Sequence, residues 1–262
     1  MTEANRDSDA LKLAGRVAVI TGGSRGIGRA VSERLAEMGT HIVVNYANDQ
    51  KAAQEVVDAA QGRGVDAISV QADIADLRGA EKLIDCTLAR FKRVDILICN
   101  AGIWEGAPID EMTESLWDRA IEINLKGTWT VCRAAIPHMK RQRFGRIVIV
   151  SSTAGQRGEA NYSNYAASKG GQIAFTKALS TELGPYGVNV NAVAPGWVDT
   201  DMSSAALSDN SERRAAIAAE IPLGRIASAH DIAGPIVFLS SEWARHITGE
   251  ILNVNGGSVL CG

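Results

Sequence analysis

Tyr165 and Lys169 stand four residues apart, and Ser152 lies thirteen residues before the tyrosine. On a helix, four residues is slightly more than one turn, so the phenol and the ammonium project from one face. A neighbouring cation favours phenolate and draws a tyrosine down from its ordinary pKa of about 10 toward the range of a general acid or base. Such a pair also occurs on helices that do no chemistry, and a second constellation gives it meaning. Thr21-Gly22-Gly23-Ser24-Arg25-Gly26-Ile27-Gly28 separates a strand-like run from a helix-like run. Glycine at 22, 26 and 28 permits a tight turn and the close approach of a pyrophosphate to helix N-terminal amides. The same glycines would also suit tight packing alone. Together the two constellations describe a nucleotide site and a proton-transfer site on one sheet.

The elements that must position these groups are legible from periodicity. Strands are expected at Arg16–Thr21, His41–Tyr46, Ala67–Gln71, Val94–Cys99, Arg146–Ser151, Val188–Val193 and Glu250–Val254. Helices are expected at Ile27–Met38, Gln50–Gly62, Gly79–Phe91, Glu114–Lys140, Ser163–Leu183 and His230–Ser240. Strands that are apolar throughout point to burial on both faces. The alternation predicts an α/β fold: one doubly wound parallel sheet, a Rossmann fold, with helices on both faces. This single domain is expected over residues 11–262, after a polar, loose tail at 1–10 with no secretory signal. Trp197–Leu223 breaks the rhythm; polar, alanine-rich and weakly helical, it reads as a mobile lid.

The composition, 46% hydrophobic and 22% charged, is that of a soluble globular protein. A net charge of −3 offers no basic field for nucleic acid or anionic lipid. No apolar run approaches the roughly 18 residues of a membrane span. Cys86, Cys99, Cys132 and Cys261 lack metal or redox spacing and read as free thiols of a cytoplasmic protein. His41, His138, His230 and His246 are scattered, so no metal site is expected.

Six ordered motifs make the chain resemble a classical short-chain dehydrogenase/reductase from about Gly15 to Gly257. They are the Thr-Gly-x3-Gly-x-Gly loop at Thr21–Gly28; Asn100-Ala101-Gly102, preceded here by Cys99; Asn124 within Ile123-Asn124-Leu125; Ser152; Tyr165-Ala166-Ala167-Ser168-Lys169; and Pro195-Gly196, followed by Val198 and Thr200. The thirteen-residue spacing selects Ser152 over Ser151. The resemblance implies that hydride from a nicotinamide meets a proton from Tyr165, with Lys169 lowering the tyrosine pKa and holding the nicotinamide ribose. It implies that Ser152 fixes the carbonyl oxygen and that Asn124 retains a water linking Lys169 to solvent. On its own, Asn124 equally reads as a buried amide satisfying a bent helix. Tyr162 has the wrong spacing for catalysis and is expected to flank the substrate.

Cofactor choice turns on the end of the second strand. NAD-using relatives place an aspartate at the position of Tyr46, whereas this chain has Asn45-Tyr46 and no carboxylate before Asp49. Arg25 can pair bidentately with a 2′-phosphate, or stand solvated; NADP is expected. Asp73 and Ile74 match the adenine-contacting position. Trp104, Gln156, Tyr162 and Trp197 follow matched motifs and are expected to line the substrate pocket, with core packing as the other reading of each. The resemblance runs closest to 3-oxoacyl-[acyl-carrier-protein] reductases, which implies an acyl-thioester substrate, fatty acid biosynthesis and an acyl carrier protein as partner. Arg141, Arg143 and Arg146 suit part of a carrier-binding patch, while Tyr186 departs from it. Sugar, polyol, steroid and naphthol reductases share the scaffold. A nucleotide sensor on this fold would usually lack the tyrosine or the lysine. Apolar residues Leu116, Trp117, Ile121, Trp129 and Val131, with Ile173 and Phe175, exceed one helix–sheet contact. With Glu250–Val254 and Ser258–Gly262 they predict a homotetramer.

Overall fold

A computed structural model describes residues 11–207 and 211–260; the expected tail, part of the lid and Cys261 lie outside them. Seven strands form one parallel sheet: β1 (Val17–Ile20), β2 (His41–Tyr46), β3 (Ala67–Gln71), β4 (Ile96–Cys99), β5 (Gly145–Val150), β6 (Val188–Pro195) and β9 (Ile251–Val254). They are ordered β3-β2-β1-β4-β5-β6-β9. Ala18 pairs with Ile42 on one side and Ile96 on the other, so β1 is hydrogen-bonded along both edges. Period-two alternation sends Ala18 and Ile20 into one core layer and Val17 and Val19 into the other. That is why β1 is apolar at every position. The domain is the doubly wound sheet the sequence predicts.

Helices α1 (Gly26–Glu37), α2 (Gln50–Gln61) and α8 (Ala229–Ser240) cover one face; Val31, Leu35, Val56 and Ile236 fill that layer with Ile20 and Val44. Helices α3 (Leu77–Phe91), α5 (Gly127–Gln142) and α6 (Ser163–Leu183) cover the other; Leu83, Val131, Met139 and Leu183 pack there with Val19 and Leu97. Val131, expected as surplus surface for an assembly, is fully buried in this core.

The order of strands reverses beside β1: the chain builds outward to β3, then returns so that β4 lies on the other flank. The carboxyl ends of β1 and β4 therefore diverge into a crevice, the usual place for a nucleotide.

Two elements differ from the sequence reading. The long helix expected at Glu114–Lys140 is α4 (Glu114–Ala120), a π-helical turn (Ile121–Lys126) and α5. The π turn frees a backbone carbonyl from the regular ladder, and the Asn124 carbonyl accepts from Thr128 Oγ1 and Gln172 Nε2, both at 2.8 Å. The segment expected as a weakly helical lid begins as β7 (Val198–Asp199), which pairs in parallel with β8 (Ala227–Ser228). A single turn at Ser204–Leu207 and α7 (Ser211–Ala219) follow. No helix of the described residues is long and apolar enough to cross a membrane.

Candidate active site

Ser152 leaves β5 directly, and Tyr165 and Lys169 ride on α6, one turn apart on the face toward the sheet. Lys169 is 4% exposed, and its Nζ donates to the Val150 carbonyl at 2.8 Å. The Ser151 hydroxyl donates to the Lys169 carbonyl at 2.9 Å, so Ser151 is committed to the backbone. Ser152 is the serine left facing the crevice: its Oγ accepts from the Ala154 N–H at 3.1 Å and shares a hydrogen bond with the Tyr165 phenol. Close approach needs Gly155, where a Cβ would stand 2.5 Å from the Lys169 carbonyl carbon. Ser152, Tyr165 and Lys169 are brought together as the spacing predicts.

Asn124 sits on the π turn and is wholly buried. Its Oδ1 accepts from the Ile103 N–H at 2.8 Å, and its Nδ2 donates to the Ile103 carbonyl and to Ser168 Oγ, both at 3.0 Å. The side-chain amide therefore pins the loop after Asn100-Ala101-Gly102 against α6, while the backbone carbonyl of Asn124 is the group that serves the bent helix. A Cβ on Gly102 would stand 3.0 Å from Asn124 Oδ1, so a bare backbone here lets the loop pack tightly against the amide, with Lys169 Nζ next nearest at 3.7 Å.

The glycine turn crosses the head of that crevice. Gly22 and Gly26 have φ of +59° and +53°, the left-handed region that favours glycine, and a Cβ on Gly28 would run into the Gly22 carbonyl. Thr21 Oγ1 accepts from the Asn100 and Ala101 N–H groups at 2.9 and 3.0 Å, locking the ends of β1 and β4. Asn100 Nδ2 returns hydrogen bonds to the Thr21 and Gly22 carbonyls at 3.0 and 3.1 Å. Thr200 reaches over the turn, with its Cγ2 3.4 Å from where a Gly26 Cβ would be.

A family model described as enoyl-(acyl carrier protein) reductase matches residues 22–258. A 3-oxoacyl-[acyl-carrier-protein] reductase of Staphylococcus aureus is 41% identical over 243 residues, 93% of this chain and 98% of that protein. One of Escherichia coli is 39% identical over 252 residues, 95% of this chain and 100% of that protein. The chain belongs to the short-chain dehydrogenase/reductase family. A crystal structure of levodione reductase superposes with a TM-score of 0.89 at 30% identity, covering 93% of this chain and 97% of that one. The protein is an oxidoreductase of ketone and alcohol groups that uses a nicotinamide cofactor.

The electrostatics of this oxidoreductase are governed by burial. It pushes the Tyr165 phenol up to about 12, with the Ser152 hydrogen bond opposing and the Glu159 charge adding to the rise. The Lys169 Nζ lies 5.6 Å from the centroid of the tyrosine ring. Burial also pushes the ammonium down to about 8. A protonated phenol is the form that can give a proton to a developing alkoxide.

The crevice fits a dinucleotide. Gly22, Gly26 and Gly102 leave bare backbone where side chains would intrude, and Ser24, Ile27 and Ala101 flank them. Arg25 precedes α1 and is exposed, and its guanidinium makes no ion pair among the described residues. Asp73 is exposed, with Oδ1 accepting from the Ala75 N–H at 2.9 Å, while Ile74 is buried against Gly127. Pro195, Gly196 and Val198 carry β6 into β7 on the far side. Asn45 and Tyr46 point inward instead. Asn45 accepts from the Gly22 N–H at 3.4 Å and donates to the Ala72 carbonyl at 2.9 Å, and Tyr46 is packed in the core. These side chains shape the turn rather than face the crevice.

Among the substrate candidates, Trp104, Tyr162 and Trp197 form one aromatic cluster, and Gln156 Nε2 donates to Asn253 Oδ1 at 2.7 Å. Trp197 also borders a cavity of about 430 Å³ between β9 and the segment that follows β7, lined further by Ile221, Leu223 and Asn253. Sequence reasoning missed Glu159, whose carboxylate accepts from the Trp104 indole and whose charge reaches Tyr165. No motif marks it; its place, six residues before the tyrosine, was the only signal. Of the basic residues proposed for a carrier patch, Arg146 is 4% exposed and pairs with Glu242 at 3.1 Å, which removes it from the surface. Among the described residues no group of His, Cys, Asp and Glu gathers as a metal would require.

Proposed function

We propose that this reductase uses NADPH to reduce a ketone to a secondary alcohol, with Tyr165 as general acid, and that its substrate is a 3-oxoacyl thioester. The observation that carries the proposal is the Ser152–Tyr165–Lys169 arrangement beside the glycine turn. A nicotinamide held in the crevice would supply the hydride for the carbonyl carbon. Ser152 and Tyr165 hydrogen-bond the carbonyl oxygen, and the phenol transfers its proton to that oxygen as charge develops. Lys169 holds the nicotinamide ribose and keeps positive charge beneath the site, and Asn124 fixes the loop that closes over it. The free guanidinium of Arg25, and the lack of a carboxylate at the end of β2, support NADP over NAD.

The relatives' names support an acyl-thioester carried by acyl carrier protein. Arg141, with Lys140 and Arg143, which stand 4.5 and 5.8 Å from the Tyr186 ring centroid, supplies the basic surface for it. We place the protein in the cytoplasm as a homotetramer, supported by Trp117 and Trp129, which remain 37% and 43% exposed along α4 and α5. Light scattering giving the mass of one chain would remove the tetramer. The functional test is NADPH consumption with acetoacetyl thioesters, sugars and cyclic ketones. Oxidation of NADPH by the thioesters supports the reading; turnover confined to sugars, or reduction of an enoyl thioester alone, overturns it.

A further inference from the structure

Three aromatic rings from three loops meet beside the reacting groups. Trp104 follows Gly102 after β4, Tyr162 immediately precedes α6, and Trp197 follows Gly196 after β6. The Trp104 and Tyr162 rings are stacked, with centroids 4.6 Å apart and planes at 12°. Trp197 meets Trp104 edge-on, at 5.6 Å and 89°. All three residues are half-buried.

The backbone is shaped to hold this stack. A Cβ on Gly106 would run into the Asn161 carbonyl and stand 2.5 Å from the Tyr162 ring. Asn161 itself takes a left-handed φ of 66°, uncommon outside glycine, to turn Tyr162 toward Trp104. Glu159 Oε2 then accepts from the Trp104 indole N–H at 3.4 Å and sets the orientation of that ring. The wall is therefore assembled before a ligand arrives, and rings with two torsions lose little freedom on binding.

We infer that Trp104, Tyr162 and Trp197 form a specificity wall that selects ketones bearing a flat ring next to the reacting carbonyl over ketones bearing a linear alkyl chain. The inference rests on the proposed ketone reduction at Tyr165 and narrows the group attached to that carbonyl. Apolar burial against the wall favours both kinds of substrate. A flat ring adds offset-stacked or edge-on contacts, a preference of roughly 2- to 10-fold beyond its area. A linear chain adds none and gives up rotamer freedom to lie flat.

The test compares the acetoacetyl and benzoylacetyl thioesters of N-acetylcysteamine with NADPH. It uses the wild type, Trp104→Ala, Trp104→Phe and Trp197→Leu, each checked for NADPH binding by fluorescence. The wild type is expected to favour the benzoylacetyl thioester in kcat/KM by about fivefold. Trp104→Ala brings the ratio close to one, chiefly by raising KM for the aryl substrate, whereas Trp104→Phe keeps most of it. Trp197→Leu lowers the ratio from the opposite side and serves if Trp104→Ala does not bind NADPH. An unchanged ratio in Trp104→Ala or Trp197→Leu, or turnover of the acetoacetyl thioester alone, overturns the inference and leaves ketone reduction standing. Turnover of neither thioester contradicts both.

Discussion

The Lys169 ammonium lies 5.6 Å from the centroid of the Tyr165 ring, and its Nζ donates instead to the Val150 carbonyl at 2.8 Å. The two residues share a helix face, as their spacing requires, but burial governs both pKa values. Tyr165 stays a phenol up to about 12, and Lys169 gives up its proton near 8. In the direction of reduction the phenol is therefore competent across neutral pH, and the lysine charge is the first to be lost.

This sets the pH dependence of reduction. Below about pH 8 Lys169 is charged and Tyr165 protonated, so kcat/KM should be flat; above it the lysine neutralises and the rate should fall, by about tenfold per unit at the limit. A steady-state profile with saturating NADPH checks this. A plateau running well beyond pH 8 would show that the lysine charge is not required.

Glu159 should tune the reverse direction. Its negative charge disfavours phenolate and adds to the raised Tyr165 pKa, so Glu159→Gln should lower that pKa. The alkaline limb of alcohol oxidation, which needs phenolate as base, should then move to lower pH. Profiles of oxidation by the two proteins decide it; a limb that stays in place, or rises, would refute the assignment.

Arg25→Ala should weaken NADPH far more than NADH. A bidentate contact with a phosphate is worth about 1.5–3 kcal/mol, or roughly 10- to 100-fold in Kd. Titration of both cofactors against both proteins checks it, and equal losses would show that Arg25 does not read the 2′-phosphate.

Asn124→Ala should cost stability as well as activity. It strands the Ile103 N–H and carbonyl, which the buried Asn124 amide satisfies at 2.8 and 3.0 Å in a part-buried setting. A loss of about 2–4 kcal/mol is expected in denaturant unfolding. A variant of unchanged midpoint and slope would mean the amide is not structural.

Much of this fold was legible because it is written locally. Period and β-branching placed His41–Tyr46, Ala67–Gln71 and Ser163–Leu183 at their observed ends. The glycine turn and Tyr165-x3-Lys169 were legible because chemistry and backbone geometry fix residue type at each position. What escaped depends on distant partners. The π turn at Ile121–Lys126 is stabilised by Gln172, forty-eight residues beyond Asn124. Tyr46 faces the core rather than the crevice because of the side on which β2 meets α1 and α2, which strand periodicity alone does not tell. The pairing of Val198–Asp199 with Ala227–Ser228 joins two-residue strands too short to carry a pattern. The Tyr165 pKa depends on how deeply the folded chain buries the phenol, and the four-residue spacing reports only the neighbour.

The central claim is that Tyr165 delivers the proton, and Tyr165→Phe tests it most directly. The substitution keeps the ring and removes the hydroxyl that Ser152 contacts. Assayed with an acetoacetyl thioester, the variant should lose about 10²–10⁴-fold in kcat while NADPH binding, measured by fluorescence, stays near that of the wild type. Near-normal turnover by Tyr165→Phe would contradict the account.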